Sequence, residues 1–218
     1  MSSLYGEQHL SMQQLFETDR LAEAVKTNIV TQEILDEHKQ FIETRDMFFL
    51  STIDHRGYPT CSYKGGETGF VKVLDKKTLL FPSFDGNGMF LSMGNITKNP
   101  NVGLLFIDFE TPHRVRVHGK ASLHREPEFT NRYVEANMVV KVEITEIFIN
   151  CTRYIHRYKK LGQSRYVPRV NCRTPLPQWK RIDNLQDSLP NRDKHIANTL
   201  GGTISTEEYV EMVIKGEA

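Results

Sequence analysis

Between Phe48 and Phe148 the chain is a series of short apolar runs joined by turns, and this spacing restricts the fold more than any other feature. The runs are Phe48–Ile53, Pro59–Tyr63, Phe70–Leu74, Thr78–Phe81, Val102–Asp108, Val115–Leu123 and Val139–Phe148. Asp54-His55-Arg56-Gly57 and Asp75-Lys76-Lys77 are short polar turns of the hairpin kind, so neighbouring runs are expected to pair antiparallel. A helix over Gly88–Lys98 interrupts the series, with Phe90, Leu91, Met93, Gly94 and Ile96 as its buried stripe and Asn99-Pro100 as its stop. Another, near Glu126–Ala136, separates the last two runs. Six or seven antiparallel strands with short helices between them predict a mainly β fold, a closed barrel with peripheral helices, because closure removes exposed edges. A doubly wound parallel sheet is excluded, since its long crossover helices are missing.

The flanks differ from this middle. Up to about Arg45 the sequence is polar and helix-like, with Ile34, Leu35, His38, Phe41 and Ile42 on one face after a Thr31 cap. Residues 1–45 therefore read as a helical leader that packs on the barrel, 46–152 as the barrel core, and 153–218 as a basic C-terminal arm with a terminal helix. Lys plus Arg total 28 against 27 Asp plus Glu, a formal charge of +1, so the whole chain carries no field for a polyanion. The charge is segregated instead. Arg153–Arg181 holds nine basic residues and no acid, with Pro168, Pro175 and Pro177 keeping it extended. Tyr154, Tyr158, Tyr166 and Trp179 interleave these cations, but no nucleic-acid-binding motif accompanies them, and nucleic acid is not expected as a partner. Ser205-Thr206-Glu207-Glu208 is a capping box that opens the last helix.

No signal peptide and no run of ~18 apolar residues is present, so neither secretion nor a membrane anchor is expected. Cys61, Cys151 and Cys172 are odd in number, widely spaced and outside any zinc-ligand pattern, which fits a reducing cytoplasm and predicts no metal site. Cys61 and Cys151 fall in or beside apolar strands and read as packed thiols.

Two passages suggest an anion site. Phe81-Pro82-Ser83-Phe84-Asp85-Gly86-Asn87-Gly88-Met89 runs from a strand into a helix, where free backbone N–H groups can meet a phosphate. The same residues would also make an ordinary turn, with Asn87 capping the helix and the glycines supplying positive φ. In Cys61-Ser62-Tyr63-Lys64-Gly65-Gly66 the strand period puts Ser62 and Lys64 on one side, as an anion site or as a solvated lysine beside a flexible turn. Trp179, beside Lys180 and Arg181, can stack on a planar anion or anchor a core or dimer contact. No Ser/His/Asp or Cys/His catalytic set can be assembled from spacing.

Taken together, Phe49-Leu50-Ser51-Thr52, Gly57-Tyr58-Pro59, Ser62-Tyr63-Lys64-Gly65-Gly66, Gly69-Phe70-Val71-Lys72-Val73-Leu74-Asp75, Gly86-Asn87, Asn95-Ile96, Asn99-Pro100-Asn101-Val102-Gly103-Leu104-Leu105-Phe106 and Val115-Arg116-Val117-His118-Gly119-Lys120-Ala121 resemble the pyridoxamine 5′-phosphate oxidase-like family of FMN-binding split barrels. The resemblance implies a homodimer of six-stranded antiparallel split barrels with FMN at the subunit interface. It implies contacts to the flavin from Ser62, Tyr63 and Lys64, from Phe81, Pro82 and Ser83 along the ring, and from Asn87 and Gly88 at the phosphate. Trp179 and Arg181 would reach the flavin of the other subunit. Related sequences commonly carry a cation just after the Gly-Asn, where this chain has Gly88-Met89. The function implied is an FMN-binding oxidoreductase that passes electrons between a reductant such as NAD(P)H and an unidentified small molecule. A flavin- or haem-binding protein without turnover is the alternative.

Overall fold

The computed structural model describes residues 4–218, in two units: one ends at Gly162 and the other runs Gln163–Ala218. The first holds α1 (Glu7–Leu15), α2 (Asp19–Ile29), α3 (Asp36–Glu43), β1 (Met47–Ile53), β2 (Pro59–Gly65), β3 (Lys72–Asp75), β4 (Thr78–Ser83), α4 (Leu91–Lys98), β5 (Asn101–Asp108), β6 (His113–His124), α5 (Pro127–Thr130) and β7 (Met138–Ile149). The strands form one antiparallel sheet of seven, in the order β2-β1-β5-β6-β7-β4-β3, rather than the six implied by the resemblance.

Strand alternation builds the interior. Phe48 and Leu50 of β1, Val102, Leu104 and Phe106 of β5, Val115 and Val117 of β6, and Val140 and Val142 of β7 are buried while their sequence neighbours are more exposed, except that Val139, beside Val140, is buried as well. The Phe48 ring lies 5.0 Å from Phe81 and 5.1 Å from Phe106. Phe81 is on β4, and β5, β6 and β7 stand between β1 and β4 in the hydrogen-bonded order, so this contact requires the sheet to curl over on itself. The curl does not close. The end strands β2 and β3 do not pair among the described residues, which corrects the expectation of a closed barrel: the barrel is split, and β2 is an edge.

A bulge tightens the curl between β6 and β7, where the register slips between His118 and Gly119. A Cβ at Gly119 would sit 2.7 Å from both the Glu143 carbonyl oxygen and Val142 Cγ1, so this crossing requires glycine.

The leader divides in its behaviour. α3 packs on the barrel through buried His38 and Ile42, and Ile34 joins the same core; α1 and α2 bury no residue. Thr31 is not a helix cap. Its backbone exchanges hydrogen bonds with Ile147 (3.0 and 2.8 Å) and its hydroxyl accepts from Glu33 N–H at 2.8 Å, while His38 Nδ1 accepts from Leu35 N–H at the true start of α3. The helix expected near Glu126–Ala136 is a single turn, α5, opened by Pro127. The tract from Arg153 to Gly162 belongs with the barrel unit: Tyr158 N–H donates to Phe109 O (3.1 Å), Arg157 Nε to Glu110 O (3.0 Å), and Lys160 pairs with Asp46.

The second unit contains 3₁₀ turns at Gln178–Arg181 and Asp183–Ser188, then α6 (Ile196–Thr199) and α7 (Thr206–Lys215), around buried Ile182, Leu189, Ile196 and Ile204. The capping box of α7 forms as read, with Glu208 N–H donating to Ser205 Oγ and Ser205 N–H to Glu208 Oε2. No helix among the described residues is long and apolar enough to cross a membrane.

Phe48→Ala is expected to lower stability by about 3–5 kcal/mol, the usual loss for a buried aromatic, as a fall in the urea midpoint at unchanged m. Burial holds the His38 imidazole below its ordinary pKa of 6.5, with His113 adding to the effect against Glu37. The unfolded chain then binds the proton more readily, so this contribution is complete above pH 6.5 and is lost as pH falls below it. His38→Gln should flatten the fall in thermal midpoint between about pH 7 and pH 5.

Candidate functional site

The β1–β2 register decides what β2 presents. Thr60, Ser62 and Lys64 lie opposite Thr52, Leu50 and Phe48, so all three share the core-facing side of an edge strand, while Cys61 and Tyr63 face out. α4 closes over that row. Asn95 Nδ2 donates to Thr52 Oγ1 (3.0 Å) and Thr60 Oγ1 (3.2 Å), which are themselves 2.7 Å apart. One helical turn earlier, Ser92 Oγ meets Ser62 Oγ at 2.9 Å. The third position of the row, Lys64, has no hydrogen-bond or ion-pair partner among the described residues. Burial lowers its pKa, and no carboxylate offsets that effect.

Lys64 faces a cavity of about 270 Å³ shared with Ser62, Ser83, Asn87, Gly88 and Ser92. Its remaining walls are mostly apolar: Phe84, Met89, Phe90, Leu91 and Met93. The loop between β4 and α4 is shaped by backbone needs. Gly88 sits at φ 80°, Asn87 Oδ1 accepts from Met89 N–H at 3.1 Å, and Phe90 is held at φ 48° directly before the helix. A bulky residue in the left-handed region costs on the order of 1–3 kcal/mol and persists only where its surroundings fix it. α4 consequently starts at Leu91, not Gly88, and Asn87 closes an Asx-type turn without capping the helix. The buried stripe moves with it, to Ser92, Met93, Asn95 and Ile96, leaving Phe90 and Leu91 half-exposed.

Of the residues read from sequence, Ser62, Lys64, Ser83, Asn87 and Gly88 line this one cavity. Phe81 and Pro82 are buried in β4, Phe81 against Phe48, so within this unit the strand reaches the cavity through Ser83. Tyr63 lines a separate cavity of about 470 Å³ on the other face of β2, with Met47, Ile107, Tyr158 and the Arg45–Asp108 ion pair (2.7 Å). Burial, then Asp46, raises the Tyr63 pKa there. Trp179 and Arg181 belong to the second unit, where Arg181 donates to Gly202 O and Gln178 Oε1 at 2.8 Å each and the Lys180 ammonium stands 5.5 Å from the Trp179 ring centroid. All three cysteines are exposed, which overturns the reading of Cys61 and Cys151 as packed thiols: Cys61 is on the outward side of β2, and Cys151 lies beyond the end of β7. The Arg153 N–H and guanidinium lower the Cys151 pKa.

Ser92, Asn95 and Thr60 were not anticipated. Their signal was present as two periods, i and i+3 on a helix against i and i+2 on a strand, but polar residues on a buried stripe become legible only once their partners are known.

Asn95→Ala should cost about 1–3 kcal/mol, the usual loss for buried hydrogen bonds. Because Asn95 ties α4 to both β1 and β2, amide exchange should accelerate in Leu91–Lys98 more than in β5–β7.

The family model described as pyridoxamine 5′-phosphate oxidase matches residues 34–150, more than half of the chain and the whole of the sheet. No curated protein matches. Similar solved structures include HupZ of Group A Streptococcus (19% identity, 58% of this chain and 99% of that one, TM-score 0.44). An FMN-binding protein from Syntrophomonas wolfei has 13% identity over 64% of this chain and 97% of that one, TM-score 0.43. General Stress Protein 26 from Bacillus anthracis has 17% identity over 50% and 88%, TM-score 0.40.

Proposed function

The chain belongs to the pyridoxamine 5′-phosphate oxidase family, and from that membership we propose that it is a flavoprotein that holds FMN in the cavity between β2 and the loop entering α4. The observation that carries this reading is Lys64, a partly buried ammonium left without a partner inside a cavity otherwise bounded by hydroxyls, an amide and apolar side chains. A protein that desolvates a cation without pairing it loses stability unless a ligand supplies the missing anion or acceptor. The residues fit a flavin in kind: Lys64, Ser83 and Asn87 offer polar groups, and Phe84, Phe90 and Met93 offer apolar surface for a ring.

Bound FMN would supply a two-electron carrier. The chain's own part is to bind and orient it. Lys64 would supply positive charge to stabilise negative charge on a reduced ring, and the rungs Asn95–Thr60 and Ser92–Ser62 keep β2 and α4 at a fixed separation. Lys64 is the one ionisable side chain on the cavity wall, which suits electron transfer better than acid–base catalysis. The activity proposed is therefore that of an oxidoreductase drawing on a reductant such as NAD(P)H.

A cavity of about 270 Å³ is small for a ligand of this size, for which about 300–1,000 Å³ is usual, so part of the flavin would extend beyond its mouth. We propose that a second copy covers it. Met89, Phe90 and Leu91 at the mouth, 68%, 50% and 50% exposed, give the apolar surface that such a homodimer would cover.

Lys64→Met is expected to weaken FMN binding about tenfold or more, the value of a charge-assisted hydrogen bond, while raising the thermal midpoint of the ligand-free protein. Unchanged FMN retention on gel filtration would count against the site. Anaerobic bleaching of bound flavin by NADH or NADPH, set against no bleaching by either, separates an oxidoreductase from a carrier. Sedimentation should give a dimer.

A further inference from the structure

The end of β6 gathers three side chains of complementary chemistry. The strand alternates there, so Leu123 packs against the core while Ser122 and His124 stand on the outer face. Pro127 opens α5 and restricts the residue before it, which keeps Glu126 extended at φ −64°, ψ 143° and carries the strand period two residues further. Ser122 Oγ lies 2.9 Å from His124 Nε2, and Glu126 Oε2 lies 3.5 Å from Nδ1 of the same ring. Phe129 of α5 stacks on the imidazole at 4.2 Å between centroids and fixes its plane.

The sequence of groups sets the position of the proton. Hydrogen bonding from its own backbone N–H, and then the neighbouring imidazole, hold the Glu126 carboxyl below the usual carboxylate range, so at neutral pH it only accepts. It therefore favours the tautomer that carries hydrogen on Nδ1, which leaves the Nε2 lone pair to accept the Ser122 O–H. Across the β6–β7 pair, Lys141 stands directly opposite Ser122, so the two share a face of the sheet, and Glu143 pairs with the Lys141 ammonium at 3.1 Å. A hydroxyl, a base, an orienting carboxylate and a cation are thus grouped on one surface, and none of them lines the flavin cavity.

We infer that Ser122, His124 and Glu126 form a second reactive site, separate from the flavin reading, that hydrolyses small carboxylic esters. Ser122 Oγ bonds to the ester carbonyl carbon as its proton passes to His124 Nε2, and the oxyanion forms on the face that carries the Lys141 ammonium. The C–O bond to the alcohol then breaks, the alcohol leaves with the proton from His124, and Ser122 is left acylated. Water attacks the acyl carbon and gives a proton to His124; the acid departs and that proton returns to Ser122. One ester and one water become one acid and one alcohol, and nothing is oxidised or reduced. Ser122 is exposed, so a short acyl group reaches it without displacing a side chain.

The full-length protein should hydrolyse p-nitrophenyl acetate, and peptide mass mapping after brief exposure should find the acetyl group on Ser122. A fluorophosphonate probe should label the same residue. Ser122→Ala should lose the label and lower the rate about tenfold or more. His124→Ala should do the same and regain part of the rate with added imidazole, a recovery that a merely structural histidine does not give. Glu126→Gln should lower kcat about tenfold at unchanged KM, as expected of a residue that positions the base. Acetyl and probe found only on other residues, or a Ser122→Ala protein with the wild-type rate, would overturn the inference. Flavin binding should be unchanged in all three variants, so either result leaves the flavin reading standing.

Discussion

The hydrogen-bonded rung from Asn95 to Thr52 and Thr60 is the constraint on which the neighbourhood of the cavity depends. β2 is an edge strand, paired only with β1 in the sheet. Without a polar helix side chain locked to it, its core-facing row would meet nothing that fixed its height or tilt. Asn95 sets that height, and Ser92, one turn away, repeats the contact at Ser62. Two strand residues advance about 6.6–6.8 Å and three helix residues about 4.5 Å, so the two ladders fall out of step as they run on. At the third position Lys64 is left facing open space, with the Asn87–Met89 loop across it. α4 begins at Leu91, so a helical third rung has no residue to make it, and the lysine stands where the helix gives way to the loop.

The same geometry explains why this corner is less settled than the barrel behind it. Phe48, Phe81 and Phe106 pack ring against ring, and the walls around them are fully buried. A few ångströms along β2 the chain accepts a strained Phe90 and a desolvated, unpaired lysine. Such exceptions to local consistency gather where a structure is shaped for a ligand, and here two lie on one cavity wall, supported by a core well able to bear them.

The strands were legible because alternation is a property of neighbouring residues: the seven runs read from sequence all became strands, with ends displaced by a few residues. What was not legible came from partners distant in the chain. Thr31 looked like a cap until Ile147 claimed its backbone, and Phe90 looked like core until a left-handed turn moved the start of α4 and gave the buried stripe to Ser92 and Asn95. Closure failed for a similar reason, since pairing of β2 with β3 depends on curvature that no local pattern records. At the site, the two-residue period correctly put Ser62 with Lys64. The same period sends Tyr63 to the opposite face and its own cavity, so adjacency in sequence meant separation in space.

Charge shows the limit of composition most clearly. The acid-free tract Arg153–Arg181 reads as a cationic arm, yet its members are largely engaged where they fold. Lys160 pairs with Asp46, Arg157 donates to Glu110 O, Arg165 to Glu217 O, Arg181 to Gly202 O, and Lys180 is buried with Asp193 at 2.9 Å. Acids from outside the tract balance two of the nine charges, at Lys160 and Lys180, and backbone carbonyl oxygens hold Arg157, Arg165 and Arg181 in place. The cavity presents the reverse case: a neutral stretch of sequence, with a single lysine, keeps its charge available because no partner reaches it. What a ligand meets is decided by which cations face a cavity unpaired after folding, and Lys64 is such a cation on the wall beside α4, as Lys159 of the tract is on the wall of the cavity beside Tyr63.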